Sequence, residues 1–74
     1  MRIEVWTDYG PLNSKDIFAK FITSLKTAGE DVRINEKCNA DVAVIWSVLW
    51  RGRMEQYRKI WNNYRSAGKP VVVI

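Results

Sequence analysis

Apolar and polar positions along the chain switch between two periods, in the order strand, helix, strand, strand, helix, strand. In "RIEVWT" (2–7), Ile3 and Val5 alternate with Arg2 and Glu4, as in a strand with one covered face. "DYGPLNS" (8–14) is dense in turn formers and offers Asn13 or Ser14 as a helix cap. Ile17, Phe18, Phe21, Ile22, Leu25 and Ala28 then recur at helical spacing until Gly29 ends the run. "DVRIN" (31–35) is a short second strand. "DVAVIWSV" (41–48) is apolar almost throughout, which suits a strand covered on both faces, with Trp46 in the core. After "LWRGR", Met54, Tyr57, Ile60, Trp61, Tyr64 and Ala67 fall within about 140° of a helical wheel. Gly68 ends that helix, Pro70 sets the chain extended, and "VVVI" (71–74) is the last strand.

The second half echoes the first at an offset of 39 residues. Val5 meets Val44, Phe18 meets Tyr57, Leu25 meets Tyr64, Ala28-Gly29 meets Ala67-Gly68, and Val32 meets Val71. Few pairs are identities. Two βαβ units that solve one packing problem explain the echo as well as duplication does.

Two folds fit this order, and "EKCNAD" (36–41) decides between them. A hairpin there makes the third strand antiparallel and the domain ferredoxin-like. A crossover makes all four strands parallel in order 2-1-3-4, a three-layer α/β sandwich that is half of a doubly wound fold. Six residues reach about 20 Å, and the return past one strand needs about 16 Å. The crossover is tight but possible. Burial favours it, because Val71, Val72, Val73 and Ile74 suit a strand flanked on both sides better than an edge. Residues 1–74 are thus expected to form a single Rossmann-like half-domain, and its last strand calls for an outer neighbour. Either a downstream segment supplies one, or a second copy pairs through Val71–Ile74 to make a homo-oligomer.

Composition narrows the chemistry. There is no histidine and only one cysteine, Cys38, so an internal disulfide and a Cys/His metal site are both excluded. No signal peptide and no membrane-length apolar run is visible, which fits a soluble cytoplasmic protein. The net charge of +4 is uneven: Arg51, Arg53, Arg58, Lys59, Arg65 and Lys69 face Glu55 alone in the last third. That asymmetry suits either an anionic partner or a solvated helix face. A ferredoxin-like sheet would allow nucleic-acid binding with Trp50 and Tyr57 as stacking groups, but "VAVI" and "VVVI" lack the polar, exposed face this needs.

In a 2-1-3-4 sheet the strand order reverses between the first and third strands, and their outgoing loops part to leave a crevice. One loop brings Asp8, Tyr9, Gly10, Asn13 and Ser14; the other brings Ser47, Trp50, Arg51 and Arg53. Helix N-termini follow both and favour an anion. A polar or anionic small molecule held by Arg51 or Arg53, with a flat group on Trp50 or Tyr9, fits these loops. Neither GxGxxG nor GxxxxGK[ST] occurs, so no cofactor is expected.

"VWTDYGPLN", "ADVAVIWSVLWRGR" and "YRSAGKPVVVI" together resemble the start of a group of uncharacterised marine-phage-type proteins with a glycosyltransferase-like, Rossmann-type architecture. The resemblance spans the chain but only the amino-terminal half-domain of such a protein. It implies sugar transfer from a nucleotide sugar, with the donor site on a second domain. Catalysis by these residues alone is therefore not implied.

Overall fold

The computed structural model describes residues 1–46 and 55–74. Its elements are β1 (Arg2–Val5), α1 (Ser14–Thr27), β2 (Asp31–Ile34), β3 (Val42–Ile45), α2 (Glu55–Ser66) and β4 (Val71–Val73). All pairings are parallel and the sheet order is β2-β1-β3-β4. This is the parallel α/β order expected, but the burial that favoured it is not met: β4 lies at a margin of the sheet and Val72 and Val73 are exposed. The ferredoxin-like alternative is excluded.

The two helices cover opposite faces. On one, Ile3 and Val5 of β1 and Val42 and Val44 of β3 meet Phe18 of α1, with Phe21, Ile22 and Leu25 around them. On the other, Trp6, Ala43 and Ile45 meet Tyr57, Ile60 and Tyr64 of α2. Every residue of β3 is buried, as its apolar run requires. Ile17, counted with the apolar face of α1, is instead exposed. Trp46 lies just past β3, half-buried, against both clusters, with its ring 5.8 Å from that of Phe18.

Both helices end the same way. After α1, Glu30 N–H reaches Leu25 O (3.1 Å) and Gly29 N–H reaches Lys26 O (3.0 Å). After α2, Lys69 N–H reaches Tyr64 O (2.8 Å) and Gly68 N–H reaches Arg65 O (3.0 Å). This paired motif needs a left-handed residue, and the glycines supply it at φ 84° and 73°. The 39-residue offset thus holds from helix to second strand. It fails in the first strand: Val5 and Val44 are register partners and point to the same face, whereas the helices lie on opposite faces. The residue of β3 that faces α2 as Val5 faces α1 is Ile45 or Ala43, a slip of one position. Such a slip favours convergence on one packing solution.

The crossover from β2 to β3 runs along the α2 face of β1. Asn35, Lys37 and Asn39 are left-handed at φ 53°, 53° and 56°, a conformation asparagine tolerates and lysine adopts at a cost of about 1 kcal/mol. What holds it is Glu4. Its side chain is fully buried, and its carboxylate accepts the N–H of Lys37, the N–H of Cys38 (3.0 Å) and the Cys38 thiol (3.5 Å). Successive backbone N–H groups in such a turn form a concavity for an anion; here the anion is the chain's own. The outward-facing Glu4 of the simple alternation is therefore wrong, because the crossover covers that face of β1. Further along, Ala40 N–H donates to the Tyr64 hydroxyl (3.1 Å), and Asp41 N–H to Arg2 O (2.9 Å).

Removing the Glu4 carboxylate strands two part-buried backbone donors, the N–H groups of Lys37 and Cys38. Glu4→Ala should cost about 3 kcal/mol and Glu4→Gln, which keeps one acceptor oxygen, about half that. Urea unfolding of the three proteins measures the difference. Equal stability of Glu4→Ala and the parent would contradict the burial.

Candidate functional site

The loop leaving β1 is anchored from three sides. Asn35, just past β2, accepts Thr7 N–H at 2.9 Å and Asp8 N–H at 3.4 Å through Oδ1. Its Nδ2 donates to Thr7 Oγ1 (2.7 Å) and Asp8 Oδ1 (3.1 Å). From the α2 side, the Tyr57 hydroxyl donates to the carbonyl of Trp6, and the Tyr57 ring meets Tyr9 edge-on with centroids 5.7 Å apart. At the third side, Gly10 is buried so tightly that a Cβ there would lie 2.5 Å from Ser14 Oγ and 3.4 Å from the Tyr57 hydroxyl.

The expected site residues divide accordingly. Asp8, Tyr9 and Gly10 come together at the carboxyl end of β1. Asn13 occupies the cap position of α1 without a side-chain cap bond. Ser14 is fully buried and its hydroxyl donates to Pro11 O (2.6 Å), so it fastens the turn and does not face a ligand. Ser47, Trp50, Arg51 and Arg53 lie outside the described residues.

Beneath this loop, between α1 and the end of β2, is a hollow of ≈ 390 Å³. Phe18, Ile22 and Ile34 give it apolar walls; Asp8 and Lys15 bring one carboxylate and one ammonium. The sequence reading missed Lys15, Asn35 and Ile34 here. Lys15 reads as an ordinary first-turn residue, and Asn35 gives its role away only through the left-handed backbone that the crossover imposes.

Cys38, half-buried, sits on the other face beside Glu4. Burial first, then its hydrogen bond to Glu4 and the charge of that carboxylate, raise its thiol above the ordinary value of 9.0. Tyr64 is raised above 10.0, chiefly by burial. Among the described residues nothing activates this thiolate. Among the described residues no group of three or more His, Cys, Asp or Glu side chains could hold a metal ion, and no helix is long and apolar enough to cross a membrane. Arg58, Asn62 and Arg65 of α2 are exposed.

No protein-family model, curated protein or solved structure matches this chain.

Two outcomes follow from the geometry. Gly10→Ala must displace buried Ser14 or the loop, and should destabilise the fold by about 1–3 kcal/mol, as thermal unfolding would register. A raised thiol pKa in the folded state favours the protonated form, so its contribution to stability is present below the unfolded pKa and is lost as pH rises through the folded one. Alkylation of Cys38 by iodoacetamide should therefore rise at higher pH in the folded protein than in urea. Coincident pH profiles would contradict the burial of this thiol beside Glu4.

Proposed function

We propose that this chain is a Rossmann-like half-domain that binds a small polar or anionic molecule at the carboxyl ends of β1 and β3. The observation that carries the reading is the strand order. It reverses between β1 and β3, α1 and α2 leave on opposite faces, and ligands of open parallel sheets settle where the loops part. The anchored Asp8–Gly10 loop supports this location, and the hollow extends from it toward α1 and the end of β2. Lys15 supplies a cation there, and Arg51 and Arg53 are the candidate anion ligands of the opposing loop. The glycosyltransferase-like proteins that the chain resembles make a nucleotide sugar the first ligand to test.

Thermal unfolding with UDP-glucose and related nucleotide sugars tests this. A ligand at 100 times its Kd adds about 2.7 kcal/mol, which in a chain of this size raises Tm by about 10 °C or more. Lys15→Ala, Arg51→Ala or Arg53→Ala should reduce the shift. The absence of any shift across the panel would count against this ligand class.

A second reading, self-association through β4, rests on the contrast between the two sheet margins. At β2 the margin is charged: Asp31 lies between Arg2 (3.1 Å) and Arg33 (2.9 Å), and Arg33 also reaches Glu36 (3.5 Å). Among the described residues β4 pairs only with β3, and it leaves Val72 and Val73 exposed, 40% and 38%, with no charge on the strand. Natural edges are commonly blunted by charge, and an apolar edge invites a partner strand. Light scattering after size exclusion should show a dimer that Val72→Lys converts to monomer. A monomer at high concentration in the parent protein rules this reading out.

A further inference from the structure

On the opposite face of the sheet from the β1-loop hollow, a cavity of ≈ 290 Å³ opens between the crossover and the second half of α2. Trp6 and Tyr64, both buried, form its floor. Lys37 and Asn39 reach it from the crossover; Asn63 and Lys69 reach it from α2 and the turn beyond. Among the described residues no carboxylate lines it and neither lysine forms an ion pair.

The polar groups at this cavity are mainly donors. Lys69 Nζ donates to Asn39 Oδ1 (3.0 Å) and lies 5.8 Å from the centre of the Tyr64 ring. That bond engages the acceptor oxygen of Asn39 and leaves its amide N–H groups to donate. Beneath them, the Trp6 indole N–H is buried without a hydrogen-bond partner. The Trp6 side chain counters in part the rise in the pKa of the neighbouring Tyr64 hydroxyl. The Glu4 charge below is already met by the Lys37 and Cys38 N–H groups. An aromatic floor ringed by two cations and two amides matches a ligand with a flat apolar body and an anionic group.

We infer that this cavity binds a small aryl anion, such as an aryl phosphate or aryl carboxylate. The ring lies on Trp6 and Tyr64, and the anionic group sits between Lys37 and Lys69. The site is separate from the one proposed above, since the two cavities lie on opposite faces of the sheet, against Tyr64 of α2 and Phe18 of α1.

An NMR titration of the full chain with phenyl phosphate tests the inference. Saturable shifts are expected at the side-chain amides of Asn39 and Asn63 and at the Trp6 indole N–H. Inorganic phosphate and phenol should each bind at least about tenfold more weakly, since each lacks one half of the recognition. The double variant Lys37→Ala, Lys69→Ala should also lose at least about tenfold, while the rest of its spectrum reports an intact fold. No saturable shift, shifts confined to residues 7–15, phenol binding as tightly as phenyl phosphate, or undiminished binding by the double variant would each overturn it.

Discussion

After β2 the chain must return to the opposite end of the sheet before β3 can begin, and it does so in residues 35–41 without a helix. A return this short cannot satisfy its own backbone N–H groups, and it lies on a face that α2 only partly covers. The fully buried Glu4 carboxylate takes up two of those donors at once. It fixes the crossover against β1, and the crossover in turn removes Glu4 from water. Neither is stable without the other: an unpaired buried carboxylate and a pair of stranded amides are each expensive. Beyond Glu4, Ala40 bonds to Tyr64 and Asp41 to Arg2, which delivers the chain to β3 in parallel register.

The location of this contact shapes the whole domain. Because the crossover occupies the α2 face of β1, that face carries a carboxylate and an indole, while the α1 face of the same strand carries Ile3 and Val5. The two cavities inherit the difference. One opens against the apolar side of α1 beneath the β1 loop; the other opens against aromatic rings under two lysines. The margins differ as well, charged at β2 and apolar at β4.

Much of the architecture was legible from periodicity. The apolar run of β3, the helical faces around Phe18 and Tyr57, and the glycines closing both helices all follow from local rules that the tertiary structure does not override. The parallel order followed from reach, since seven residues suffice for the return, whereas the apolar run of Val71–Val73 did not signal burial, because β4 lies at a margin. Glu4 was not legible. Its side chain alternates with Ile3 and Val5 as an outward polar residue would, and only a crossover lying over β1 makes that position interior. Ile17 erred in the opposite direction: about 100° around the helix from Phe18, it sits at the flank of the buried stripe and is exposed. Of the site residues, the turn chemistry around Asp8 and Gly10 was readable, whereas the structural duty of Ser14 depends on a carbonyl three residues away. Lys15 and Asn35 carried no local sign of their place.

Amide hydrogen exchange, read residue by residue, tests the central role of Glu4 most directly. If the buried carboxylate holds the crossover, the N–H groups of Lys37 and Cys38 exchange as slowly as those of β1 and β3, although Lys37 itself is exposed. Exchange of both amides at the rate of an unprotected loop, in a protein whose strands remain protected, would contradict it.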